Sequence, residues 1–183
     1  MLFAIVVALV VGYLIVRAGA LPANADAKPP AIERWIARTS LRATIDREAP
    51  RAANPVPATD ANLLAGLNSY LANCAVCHGA ADAKATNIAA GLYLRAPQLA
   101  GHGVEDDPDG VTFWKIYHGI RLTGMPSYAK TLNTQQIWQI TAFLSHMDRL
   151  PANVDARWKK ARVAEPTAPA AVQAEQHGPP DRK

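Results

Sequence analysis

At 183 residues, half of them hydrophobic, the chain has room for one packed domain with extensions, although alanine and an apolar N-terminus inflate the hydrophobic share. The formal net charge of +4 comes from the flanks: residues 52–148 hold 5 Lys/Arg against 7 Asp/Glu, whereas residues 1–51 and 149–183 each hold 7 against 4. No basic patch interleaved with aromatics accompanies that charge, which argues against a nucleic-acid partner, and two cysteines are too few for a disulfide framework.

Leu2 to Val16 is an apolar run interrupted by Gly12. It falls short of the roughly 20 residues that span a bilayer as a helix. Met1 and, past a snorkelling Arg17, Ala18 to Leu21 extend it. A cleaved signal peptide is the alternative, with Ala18-Gly19-Ala20 and Ala23-Asn24-Ala25 as A-x-A cleavage sites. The missing charged region ahead of the run favours an uncleaved transmembrane anchor over 1–21. Residues 22–58 read as a linker carrying one amphipathic basic helix, 31–48. In it Ile32, Trp35, Ile36 and Thr39 follow i, i+3, i+4, i+7 spacing, and Arg34, Arg38 and Arg42 form a basic stripe on another face. Such a helix either lies on anionic lipid headgroups or docks Trp35 on the neighbouring domain and leaves its arginines in water. Docking is the expectation, because charge runs usually mark a solvated face. Pro50, Pro55 and Pro57 then force an extended connector.

Asp60 is the expected N-cap of the next helix, whose apolar face of Leu63, Leu64, Leu67, Tyr70 and Leu71 runs up to Cys74-Ala75-Val76-Cys77-His78-Gly79. Cys-x-x-Cys-His is the attachment sequence of a c-type haem. Each thiol forms a thioether with a vinyl-derived carbon of the porphyrin, and the next side chain, His78, lies under the iron as an axial ligand. Zinc would need about two more ligands at metal-like spacing. No further cysteine exists, and His102, His118, His146 and His177 are scattered. A redox dithiol would sit at the start of a helix after a strand, and no strand pattern precedes Cys74.

Downstream, Glu105 to Gly110 is an acidic turn, and Thr112 to Tyr117 is an apolar helical turn expected to line the haem crevice. Trp114 and Arg121 are the candidate hydrogen-bond donors to the haem propionates, whose charge is costly to bury alone. Met125, held between Gly124 and Pro126 and 47 residues after His78, is the candidate sixth ligand. Soft sulfur opposite histidine favours Fe(II) and raises the reduction potential. His118 is the alternative ligand, outside the Gly-Met-Pro segment, and Met147 reads as packing. Asn133 or Thr134 caps a final helix from Gln135 to about Met147, with Ile137, Ile140, Thr141 and Leu144 inward, and Pro151 ends it. A basic stretch, Trp158 to Arg162, precedes a Pro/Ala/Gln-rich tail expected to be disordered.

Residues Asn62 to Leu150, about half of the chain, resemble a class I, single-haem bacterial cytochrome c, of the kind also found as domains in cbb3-type oxidases and membrane dehydrogenases. The resemblance rests on Gly66 and Tyr70 before Cys74-x-x-Cys77-His78, on Gly119-Ile120-Arg121-Leu122-Thr123-Gly124-Met125-Pro126, and on a final helix with Ile137, Trp138, Phe143 and Leu144. It implies an all-α cytochrome c fold, with helices packed around one covalent haem c. Gly66 and Tyr70 would meet the final helix at Trp138, and Pro97 would lend its carbonyl to the free ring nitrogen of His78, fixing its tautomer. Attachment would take place on the outer side of the bacterial cytoplasmic membrane.

The expected organisation is an anchor or signal peptide over 1–21, a linker with its helix over 22–58, the haem domain over 59–150, and a basic then Pro/Ala-rich tail over 151–183. The expected function is one-electron transfer between protein redox partners in the periplasm, without catalysis or a small-molecule substrate. The N-terminal helix would attach the haem domain to the membrane; cleavage would leave it soluble. Two further readings are an electron-transfer subunit of a larger dehydrogenase or oxidase, and a haem enzyme or gas sensor with an open iron. Met125 and the lack of a distal His-Arg pair argue against the last.

Overall fold

Thr59, not Asp60, starts the first helix of the haem domain. Its side chain accepts from the Asn62 N–H while its own backbone stays extended, as an N-cap requires. Asp60 falls at the first helical position, where its carboxylate faces the positive end of the helix. The computed structural model describes residues 1–21, 23–101 and 103–163, and among these every regular element is helical. They are α1 (Leu2–Arg17), α2 (Ala31–Glu48), α3 (Asp60–Asn73), α4 (Ala75–His78), α5 (Asn87–Gly91), α6 (Asp109–His118), α7 (Thr134–Leu144) and α8 (Ala152–Lys160), with short 3-10 turns at Leu99–Gly101 and Val104–Asp106.

Helices α3 and α7 form the centre of the core. Leu63, Leu67 and Tyr70 on one meet Ile137, Ile140, Phe143 and Leu144 on the other, all of them buried. Close approach is possible because Gly66 has no side chain: a Cβ there would lie 2.0 Å from the Gln139 carbonyl oxygen. Helix α6 packs behind α7, with Phe113 stacked on Trp138 at 4.0 Å between ring centroids. Asn133 begins α7 with a full capping box, accepting from Gln136 N while the Gln136 side chain accepts from Asn133 N. Asn133→Ala is therefore expected to cost about 1 kcal/mol, read as a lowered midpoint in denaturant with an unchanged slope.

The packed domain does not stop at residue 150. Pro151 restarts the chain as α8, whose Val154 and Trp158, four residues apart, are buried. Trp158 lies edge-on to Tyr70 at 5.7 Å and to Phe143 at 5.4 Å. An i, i+4 pair of large apolar side chains among charges is enough to dock one face of a short helix. The Pro/Ala-rich tail lies outside the described residues.

The N-terminal segment also departs from expectation. Every residue of α1 is exposed, and no helix among the described residues is long and apolar enough to cross a membrane. Its 16 residues cover about 24 Å at 1.5 Å per residue, short of the ~30 Å hydrocarbon layer. Gly19, at φ +66°, sits in the turn that stops the extension toward Leu21. Helix α2 has the expected span, but Trp35 is 63% exposed and does not dock on the haem domain. Ile45 does, at 8% exposed, near the other end of the helix. The chain beyond is held firmly: a Cβ on Gly110 would strike the Pro50 carbonyl, and Asn54 donates through Nδ2 to the Trp138 carbonyl at 2.9 Å.

Candidate functional site

Cys74 closes α3 and opens α4, so the two cysteines and His78 share one helical turn. Four side chains fix that turn by its carbonyls. The Tyr70 hydroxyl donates to Gly79 O at 2.8 Å, Thr86 Oγ1 to Val76 O at 2.5 Å, Gln98 Nε2 to Cys77 O at 3.2 Å and the Tyr128 hydroxyl to Asn73 O at 2.8 Å. Gly79 stands at φ +76°, where a Cβ would lie 2.2 Å from Gln98 Oε1, so the residue after the histidine must be glycine. Of this clamp, Thr86, Gln98 and Tyr128 went unread in the sequence. Only Thr86 left a signal there, as the N-cap of α5 accepting from Ala89 N.

His78 Nδ1 lies 2.9 Å from the Pro97 carbonyl. A carbonyl only accepts, so Nδ1 carries the proton and Nε2 is the nitrogen with a free lone pair. Burial holds the His78 pKa below its ordinary value, and the Pro97 bond opposes that in part. Both cysteines are half-buried and unbridged. Burial, reinforced by Cys77, pushes the Cys74 thiol up to about 12. A redox dithiol needs an accessible thiolate near neutral pH, and this environment works against one.

The Met125 loop is built as tightly. Gly119, at φ +68°, ends α6, and a Cβ there would lie 2.5 Å from the Pro126 carbonyl carbon. Met125 O accepts from Ile120 N at 3.1 Å, and Met125 N donates to Thr123 Oγ1 at 3.1 Å, while that hydroxyl donates to Ile120 O at 2.6 Å. The backbone of Met125 is thus held on both sides, and its half-buried side chain packs on the main core. Thr123→Val removes the two hydroxyl bonds, worth about 1 kcal/mol each. The matured variant is expected to lose its long-wavelength methionine-to-iron charge-transfer band at a lower temperature than the native chain.

Trp114 is buried, with its ring 4.9 Å from that of His118, and its indole nitrogen makes no hydrogen bond of standard geometry. The charged group beside it is Glu48 at the end of α2. The Glu48 carboxyl is held below its usual value by Arg47 first, with the Trp114 N–H a smaller contribution. A propionate role for Trp114 therefore competes with Glu48. Arg121 is exposed in the turn leading to Met125.

Residues 61–144 match the family described as cytochrome C oxidase, cbb3-type, subunit III. No curated protein and no solved structure matches the chain. This part of the chain is a c-type cytochrome domain of that family, and its one Cys-x-x-Cys-His serves one covalent haem c. The site fits the group: two unbridged thiols stand on one turn, followed by a histidine oriented through Nδ1. Among the described residues no group of three His, Cys, Asp or Glu side chains gathers to hold a metal ion.

Proposed function

We propose that this cytochrome domain passes one electron at a time between protein redox partners, with Cys74 and Cys77 as covalent anchors and His78 and Met125 as axial ligands. The observation that carries the reading is the His78 ring, engaged through Nδ1 by Pro97 and so presenting Nε2. When bound, the haem supplies a one-electron iron couple. Pro97 fixes the tautomer of His78 and adds to its basicity. The bonds through Ile120 and Thr123 hold Met125 in its loop, where its thioether would serve as the second ligand to the haem iron. Arg121, exposed beside that loop, is the remaining candidate partner for a propionate.

The domain works on the outer side of the cytoplasmic membrane, and α1, apolar and exposed along its whole length, associates with lipid. The family's description as an oxidase subunit favours a second reading, an electron-transfer subunit of a larger membrane complex. A stoichiometric large subunit on gentle purification would select it.

The direct test is the visible spectrum of the matured, reduced protein with and without carbon monoxide, beside a redox titration. A spectrum indifferent to carbon monoxide and a one-electron titration are expected. Ready binding would mean an open iron and would turn the reading to a haem enzyme or gas sensor.

A further inference from the structure

Gly124 immediately precedes Met125, and its φ lies outside the left-handed region, so no backbone requirement puts a glycine there. What glycine supplies is space. A Cβ at 124 would lie 2.5 Å from Leu92 Cδ2, 3.1 Å from Cδ1 and 3.4 Å from Cγ, so the leucine side chain fills the room that the missing Cβ leaves. Two residues back, Leu122 stands at φ +62° with its side chain 82% exposed. A bulky residue in that conformation is strained, and such strain persists only where the surroundings hold it. The hydrogen bonds through Ile120 and Thr123 hold the loop from within. Leu92 covers it from another part of the chain.

The stretch that Leu92 opens also serves the opposite ligand. Residues 92–98 have no regular structure, yet they are fastened along their length. The Tyr93 hydroxyl donates to Glu33 of α2 at 2.8 Å. Pro97 O accepts from His78 Nδ1 at 2.9 Å, and Gln98 Nε2 donates to Cys77 O at 3.2 Å. One short stretch thus holds the histidine turn at one end and covers the methionine loop at the other.

We infer that Leu92 is a positioning residue for Met125, bracing Gly124 so that residues 92–98 join the supports of both axial ligands. The inference rests on the ligation by His78 and Met125 proposed above. Its consequence is local. Leu92 is half-buried and packs outside the main core, whereas Met125 packs on that core. Shortening Leu92 therefore leaves the contacts between α3 and α7 in place, and frees a strained loop to carry its thioether away from the iron more often.

The full chain is matured with its haem and studied as Fe(III). The long-wavelength methionine-to-iron charge-transfer band reports ligation, and entry of imidazole in excess reports how often the thioether leaves. Leu92→Ala is expected to speed entry roughly tenfold, the effect of a lost half-buried leucine contact felt by the closed state alone. Its far-UV melting point should stay within a few degrees of native. Leu92→Met keeps the volume and should return the rate close to native. Gly124→Ala should also speed entry, because its methyl displaces Leu92, but should not speed it further in the Leu92→Ala background. A native entry rate in Leu92→Ala, or a lower melting point without faster entry, overturns the inference and leaves Leu92 as packing alone. Additive effects of the two substitutions overturn it too, because side chains that do not meet act independently. A native protein without the charge-transfer band overturns the ligation by Met125 itself, and this inference with it.

Discussion

Met125→Ala, matured with its haem and reduced, is expected to bind carbon monoxide, and the native chain is expected to exclude it. Its reduction potential should fall by on the order of a tenth of a volt or more, well inside the ~0.8 V range that axial ligands span. The direction follows from the chemistry of the lost group. Thioether sulfur is soft and stabilises Fe(II), so its removal favours Fe(III) and opens a coordination site on the iron. The Met125 loop makes the effect specific, because its backbone is held through Ile120 and Thr123 by hydrogen bonds that the substitution leaves in place. Met125→His is the companion variant: it should close the iron again to carbon monoxide while leaving the potential low. If Met125→Ala keeps a closed spectrum, another side chain takes the sixth position. His118, at the end of α6, would then be replaced next.

What sequence reasoning reached here, and what it missed, separates along physical lines. The Cys74-x-x-Cys77-His78 turn was legible because covalent attachment demands fixed residue types at fixed spacing within one turn of helix. The inward face of α7 was legible because 3.6-residue periodicity places Ile137, Ile140, Thr141 and Leu144 on one side, and all four are buried. The clamp around the turn was not, because Thr86, Gln98 and Tyr128 reach it from distances of 10 to 55 residues along the chain. No local pattern encodes such a meeting.

The ends of the domain misled for a related reason. Val154 and Trp158 are the apolar side chains that dock α8, set among charges that dominate a composition-based reading. Their value appears only when Tyr70 and Phe143 are seen to leave an aromatic edge open for Trp158. Trp35 misled in the opposite sense. A tryptophan at helical spacing reads as a docking residue, yet the helix docks through Ile45 one face over. Amphipathic spacing shows that a face wants cover and says nothing about which neighbour supplies it.

Gly66→Ala is the most severe single change expected in the fold. The added methyl carbon would lie 2.0 Å from Gln139 O, 2.6 Å from Gln139 C and 3.0 Å from Phe143 Cβ, where apolar atoms ordinarily sit about 4 Å apart. The obstruction is backbone, so no rotamer relieves it and α3 must move away from α7. Alanine returns up to about 1 kcal/mol of helix propensity over glycine. Overpacking of this kind nonetheless costs a net of about 3 kcal/mol. For a domain near 100 residues that corresponds to a melting point lower by roughly 12–24 °C. Gly91→Ala adds the same methyl where nothing lies within 4 Å, and should leave the melting point within a few degrees of native. Equal melting of Gly66→Ala and the native chain would refute the contact between α3 and α7. The change should also reach the iron. Cys74 and His78 continue directly from α3, whereas Met125 follows α6, which packs on α7. Parting α3 from α7 separates the halves that carry His78 and Met125, so the reduced variant is expected to admit carbon monoxide at a lower temperature than the native protein.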